Sequence, residues 1–268
     1  MESGPKELRR VFHLSSFLTT SAWIASWAAC SNSSTSCTNL RRHEGERVYM
    51  STVLHPPEQT TQRVILRRVS WETYERLLAE HEQCSSPRFT YDRGVLEIMS
   101  PSIRHERLNR NLATMCEVIA EELHIELDNA GSTTFKREDL TRGFEPDSCF
   151  YVQNVERVRE RDQIDLTVDP PPDLVIEIDL SRSSLDRFPI FASIGVPEVW
   201  RYDGTRLTIF TLRAGTYQAL EASTVFPGVT SQIISQFIVE STTLPHTAWL
   251  RRVRAWARRQ RRAGHKSF

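Results

Sequence analysis

Lysine is nearly missing from this chain: Lys6, Lys136 and Lys266 are the only three in 268 residues. Any lysine-based mechanism is thereby confined to very few positions. Cysteine spacing excludes a zinc module. Cys30, Cys37, Cys84, Cys116 and Cys149 are odd in number and scattered, with no CxxC or Cys/His ligand spacing. Ordinary thiols in a reducing cytoplasm are the expectation. No internal repeat is present, and no run is clean enough to span a membrane. With 39% hydrophobic and 25% charged residues, composition is ordinary for a soluble globular protein and leaves fold class open.

Acid is missing locally rather than globally. The net charge is zero, yet the last eighteen residues hold eight basic residues and no acid. Residues 51–250 carry 20 Lys+Arg against 30 Asp+Glu. At the other end, Lys6, Arg9 and Arg10 precede an apolar, Ser/Thr-studded run from Val11 to Cys30. That pattern mimics a secretory signal, and Ala28-Ala29-Cys30 resembles a lipoprotein cleavage site. His13 and several hydroxyls interrupt it. Residues 1–49 are therefore expected to be a disordered or non-native extension, with a genuine export signal as the alternative. The length suits one domain of about 150–200 residues plus extensions. That domain is expected over 50–240, followed by a basic C-terminal helix or tail over 241–268.

Local patterns lay out the middle of the chain. Ser70 can cap a helix whose Trp71, Tyr74, Leu77 and Leu78 share a face. Arg88–Tyr91 and Val95–Met99, joined at Asp92-Arg93-Gly94, read as a hairpin. A longer helix opens at Pro101-Ser102, with Leu108, Leu112, Met115, Ile119 and Leu123 in one stripe. Strands are expected near 125–128, 132–136 and 147–152, then a polar connection over 153–169. A short helix is expected with Asp186 as N-cap, because Pro189 is tolerated only in a first turn. A second hairpin (198–202 and 206–211), an edge strand at 216–220 and helices near 231–239 and 244–262 complete the chain.

The most telling run is Pro170-Pro-Pro-Asp-Leu-Val-Ile-Glu-Ile-Asp179. A strand alternates sides with period two, so Leu174, Ile176, Ile178 and Leu180 line one face and Asp173, Val175, Glu177 and Asp179 the other. Three carboxylates on one face repel one another unless water, a base or a metal ion offsets them. Pro146-Asp147 leads into a second strand-like stretch, Ser148–Val152. An acid from each of two strands suits a hard divalent cation, since Mg2+ takes oxygen ligands and usually keeps waters. From these residues alone, a solvated sheet face stays open as the alternative.

Gly94-Val-Leu-Glu-Ile-Met-Ser-Pro-Ser102 followed by His105, then Glu145-Pro-Asp147 and Pro172-Asp-Leu-Val-Ile-Glu177, resembles the bacterial Uma-type family of restriction-endonuclease-like proteins. Ser181, Ser183, Ser184 and the run Phe191–Trp200 extend the likeness across roughly residues 70–220. The resemblance implies the PD-(D/E)XK nuclease fold: an α/β (mixed α+β) domain with a restriction-endonuclease-like mixed central sheet flanked by helices. It implies that Asp147 and Glu177 bind Mg2+, with Mn2+ as the alternative ion, and that a nearby lysine helps to activate water. Two positions after the acid, however, stands Asp179, which either assists the metal or repels it less when protonated. The basic position on the following helix is matched by Arg187, which can clamp phosphate but cannot readily act as a base. Lys136 is expected on a neighbouring edge strand.

By the same resemblance His105 contacts phosphate or a leaving group; a surface or capping role is its alternative. Glu97 either orients a water or faces solvent. The basic stretch from Trp249, beginning with Arg251 and Arg252, attracts nucleic acid through counterion release or is simply a solvated helix. The implied function is a cytoplasmic, Mg2+-dependent endonuclease hydrolysing DNA phosphodiesters, with no membrane partner. Two-strand cleavage would favour a homodimer. The alternative from another class is a nuclease fold that binds DNA or protein without turnover.

Overall fold

The structure, a computed structural model, describes residues 60–180 and 185–264. The extension expected over 1–49, Cys30, Cys37, and Ser181, Ser183 and Ser184 lie outside the described residues. Cys84, Cys116 and Cys149 are free thiols.

Strand β1, Gln62–Arg67, comes first and was not expected; its alternate residues are exposed, so it offers no apolar period to read. Ser70 Oγ then accepts the Thr73 N–H at 3.1 Å and caps helix α1, Trp71–Glu80. The predicted stripe packs α1 against Phe89, Tyr91 and Leu96. Those residues lie on β2, Arg88–Asp92, and β3, Val95–Ser100. Arg93 and Gly94 both take positive φ, 46° and 90°, as a two-residue hairpin turn of this hand requires. Ser102 Oγ accepts the His105 N–H at 3.2 Å and starts α2, Ile103–Leu123.

Four short strands follow: β4 Asp128–Gly131, β5 Phe135–Arg137, β6 Arg142–Phe144 and β7 Ser148–Tyr151. The first lies later than the expected 125–128, and β6 was missed. Its Gly143 is there because the Tyr74 hydroxyl sits where a Cβ would go. The polar connection contains a short helix, α3, Val155–Val158. Strand β8 is Leu174–Ile178 and helix α4 is Phe188–Ile194. The N-cap of α4 is Arg187, one residue later than expected. Asp186 still serves the turn, since its Oδ1 accepts the Phe188 N–H at 3.1 Å. Strands β9 Glu198–Tyr202, β10 Leu207–Arg213 and β11 Thr216–Leu220 precede α5, Ser231–Thr243, and α6, His246–Gly264.

Two sheets result. One is five-stranded and antiparallel, ordered β1-β3-β2-β6-β5. The other is six-stranded, ordered β11-β10-β9-β8-β7-β4, and mixed: β8 and β9 are parallel, joined through α4, and all other pairs are antiparallel. Period two in β8 sorts the layers. Leu174, Ile176 and Ile178 share a core with residues of α2, α5 and α6. Val175 packs on the opposite side with Cys149 and with Ile190, Phe191 and Ile194 of α4. The mixed sheet flanked by helices is thus the observed architecture. Of the stretch expected as a basic helix or tail from 241 onward, the first residues belong to α5 and His246–Gly264 form α6. There Trp249, Val253, Trp256 and Ala257 are buried in the same core as β8. Among the described residues no helix is long and apolar enough to cross a membrane.

Asp173 does not belong to an exposed acid face. Its Oδ2 accepts the backbone N–H groups of Val152, Gln153 and Asn154 at 2.8, 2.8 and 3.0 Å. Its Oδ1 accepts the Asn154 side-chain amide at 2.7 Å. The carboxylate therefore fastens the turn after β7, its charge stabilised by four N–H donors.

Candidate active site

Ser148 of β7 lies opposite Ile176 of β8, and continuing that antiparallel register by one residue sets Asp147 opposite Glu177. Parity with Cys149 and Val175 puts both acids on the side of the sheet that carries α4. Both are buried, with relative exposures of 2% and 7%.

Asp147 is fully engaged. Its Oδ2 accepts the Ile178 N–H at 2.6 Å and lies 3.2 Å from His105 Nε2. Its Oδ1 accepts from a guanidinium nitrogen of Arg88, whose other terminal nitrogen donates to Glu106 Oε1 at 2.5 Å. His105 Nε2 is also 3.0 Å from the Ile178 carbonyl oxygen, which can only accept, so Nε2 carries the proton. Asn109, one helical turn after His105, donates to the Asp147 carbonyl and accepts from the Ser148 hydroxyl, each at 2.8 Å.

Glu177 is half engaged. Its Oε2 accepts from Arg187 at 2.5 Å, while its buried Oε1 has no partner among the described residues. Arg187 also donates to Glu97 Oε1 at 2.6 Å, and Arg63 reaches the same oxygen at 2.8 Å. Asp179, beyond the end of β8, pairs with Arg201 at 2.6 Å and lies 3.9 Å from Arg63. A pocket of about 370 Å3 opens here, lined among others by Arg63, Glu177, Asp179, Arg187, Phe188 and Arg201.

Electrostatics push the two facing acids apart. Burial pushes Asp147 up, but the hydrogen bond from His105 and the charges of His105, Arg88 and Arg187 outweigh it and hold the carboxyl below its ordinary value. Burial also pushes Glu177 up; Arg187 pulls it back, the Asp147 charge adds to the rise, and the outcome lies above the usual carboxylate range. Burial disfavours the Arg187 charge, yet Glu177, Glu97 and Asp147 raise its pKa, so it stays protonated. Neighbouring titratable groups driven in opposite directions are characteristic of reactive sites.

Several residues stand elsewhere than the sequence suggested. His105 is neither a surface cap nor open to a ligand, because it is completely buried against Asp147. Glu97 does not face solvent; it is buried between Arg187 and Arg63. Asp179 is turned to two arginines. Arg187 is the N-cap of the short helix α4, whose first N–H is taken by Asp186. Lys136 is on an edge strand as expected, but on β5 of the other sheet, half exposed and paired with Glu75 at 2.8 Å.

The basic helix α6 lies across the sheet from α4 and the pocket. Arg252 pairs with Glu240 of α5 at 2.9 Å, and Arg251 is exposed on the same helix. Arg254 and Arg258 hold Glu122 near the C-terminal end of α2 at 3.3 and 2.8 Å. At about 1.5 Å of rise per residue, that point is roughly 25 Å along α2 from His105.

Arg88, Arg63, Glu106 and Asn109 were missed. An arginine opening the aromatic strand-like run Arg88–Tyr91 was the available signal for Arg88, and the structure buries that strand along nearly its whole length. Arg63 had none, because β1 was not recognised.

Carboxylate oxygens are the donors a hard divalent cation takes, and Glu177 Oε1 is a buried oxygen with an open valence. At the other end Arg88 already occupies Asp147 Oδ1. Among the described residues no three His, Cys, Asp or Glu side chains are grouped to hold a metal. Two acids suffice for Mg2+, which keeps several of its waters. The residues therefore fit such an ion, provided the guanidinium yields.

Residues 71–262 match the family described as "Uma2: Putative restriction endonuclease". No curated protein matches the chain. Among solved structures it is similar to a "putative nuclease belonging to DUF820 from Anabaena variabilis ATCC 29413", at 13% identity and a TM-score of 0.45, covering 68% of this chain and 99% of that one.

Proposed function

The chain belongs to the Uma2 family, and on that premise we propose that it is a cytoplasmic, divalent-cation-dependent endonuclease hydrolysing DNA phosphodiester bonds. The observation that carries this reading is the apposition of Asp147 and Glu177 on adjacent strands, with one carboxylate oxygen left unpartnered. Asp147 and Glu177 would hold Mg2+, with Mn2+ as a substitute. Such an ion supplies Lewis-acid stabilisation of charge on the phosphoryl oxygens and a water of lowered pKa.

The chain's own groups do the rest. Arg187, permanently charged and already at the acid pair, grips a phosphate oxygen and cannot serve as base. Arg63 and Arg201, held by Asp179 at the pocket, attract the flanking backbone. His105 and the Ile178 N–H keep Asp147 oriented without touching substrate. Cutting both strands with one site per chain favours a symmetric dimer.

A specific observation favours a second reading, a DNA- or protein-binding module without turnover. Both acids already carry an arginine counter-ion, and no lysine among the described residues is part of the site. Incubation of the purified protein with supercoiled plasmid separates the two. Nicking is expected with Mg2+, is lost with EDTA, and is reduced to background in Asp147→Asn. Retained DNA binding with no nicking under any divalent ion favours the module.

A further inference from the structure

We propose that Arg88 is a built-in counter-ion for Asp147 that yields to the divalent cation, with Glu106 as the acceptor that retains it. This rests on the cation-dependent reading above. Asp147 is charged and almost completely enclosed, and a buried carboxylate without a counter-ion is strongly disfavoured. Arg88 reaches it from β2, a strand of the other sheet, through a side chain only 7% exposed. A positive guanidinium and a metal ion cannot both sit against Asp147 Oδ1, because like charges at contact distance repel. Their occupancies are therefore mutually exclusive.

Three features mark Arg88 as exchangeable rather than locked. It already has a second carboxylate, Glu106 Oε1, at 2.5 Å, so release from Asp147 leaves no unpaired buried charge. Glu106 is a third exposed, which places that second anchor at the rim. Arg88 Nε is buried with no partner among the described residues, so its hydrogen bonding is not saturated where it stands. Meanwhile Asp147 Oδ2 keeps its own bonds to the Ile178 N–H and His105, which hold the carboxylate in place during the exchange. The apparent affinity for the cation is then set by the fraction of molecules in which Arg88 has let go.

Calorimetric titration of MnCl2 into the full-length protein tests this without reference to activity. Arg88→Gln is expected to tighten binding by about tenfold, within the usual range of coupling between linked sites. Glu106→Gln, which takes away the second anchor, is expected to weaken it several-fold. The decisive comparison is the double variant: in the Arg88→Gln background, Glu106→Gln should have little further effect. Additive effects would mean that both residues act only as distant charges, and would overturn the proposal. An unchanged or weaker affinity in a folded Arg88→Gln protein overturns it as well. If Arg88→Gln fails to fold, an unchanged affinity in Glu106→Gln is sufficient to reject it. Absence of heat in the parent and in every variant removes the cation-dependent reading itself. Heat in the parent with no shift in the variants removes only the role of Arg88.

Discussion

Glu177→Gln is expected to abolish Mg2+-dependent plasmid nicking while leaving the protein as stable as the parent or slightly more so. The carboxylate is buried beside Asp147, and its Oε1 finds no donor. An unsatisfied buried polar atom costs about 1–3 kcal/mol, and more when the group is charged. The amide removes the charge while keeping the shape. Arg187 loses one partner but retains Glu97 at 2.6 Å. The melting temperature should hold or rise by roughly 2–4 °C, the equivalent of about 1 kcal/mol in a domain of this size. Cleavage should fall to background, since the carboxylate oxygen left open among the described residues is gone. Circular dichroism melts and plasmid nicking on the same preparation check both halves. Surviving cleavage would place the chemistry elsewhere.

Glu198→Ala should do the reverse. Glu198 is completely buried on the side of β9 that faces α2, α5 and α6, away from the pocket. Its Oε1 accepts the Trp200 indole N–H and the Ser223 hydroxyl, both at 2.6 Å. Its Oε2 accepts the Thr224 N–H at 2.7 Å and the Thr224 hydroxyl at 2.6 Å. Truncation leaves the indole and backbone donors with no acceptor, because neither can turn to another partner as a hydroxyl can. At about 1–3 kcal/mol for each, plus a cavity, the loss is roughly 3–5 kcal/mol. That is a large part of the roughly 5–15 kcal/mol that holds a typical domain together. Thermal melts should show a fall on the order of 10 °C. Below that transition, cleavage per folded molecule should match the parent. Loss of cleavage in a fully folded Glu198→Ala protein would contradict this separation of roles.

The contrast between these two glutamates marks the boundary of what the sequence discloses. Helix starts at Ser70 and Ser102 were readable because a cap and its periodic run are local. Asp147 and Glu177 were singled out as a pair only by the resemblance; period two placed Glu177 on an acidic face and left a solvated sheet face open. The same logic misjudged Asp173. It is also preceded by proline, yet the turn at 152–154 lies across from it and takes all its hydrogen-bonding capacity. Nothing near Asp173 in the sequence announces that turn.

Of the site's cations only Arg187 was named, through the resemblance; Arg63, Arg88 and Arg201 were hidden for a related reason. Arg63 and Arg88 come from strands of the five-stranded sheet, Arg187 from the cap of α4 and Arg201 from β9. Pairings of that span depend on how the two sheets meet, which no local period encodes. Strands β1 and β6 escaped because one is exposed on alternate residues and the other is three residues built around a glycine. The basic run after Trp249 was correctly seen as helical. Its charges, however, are partly used to fasten α6 to Glu122 and Glu240.

Anomalous diffraction from crystals soaked in MnCl2 goes most directly to the heart of the matter. A single Mn2+ peak is expected in contact with both Asp147 and Glu177, with Arg88 drawn away to Glu106. A peak that touches neither acid, or saturating Mn2+ that leaves Arg88 on Asp147 and Arg187 on Glu177, would show that these carboxylates serve the arginines alone.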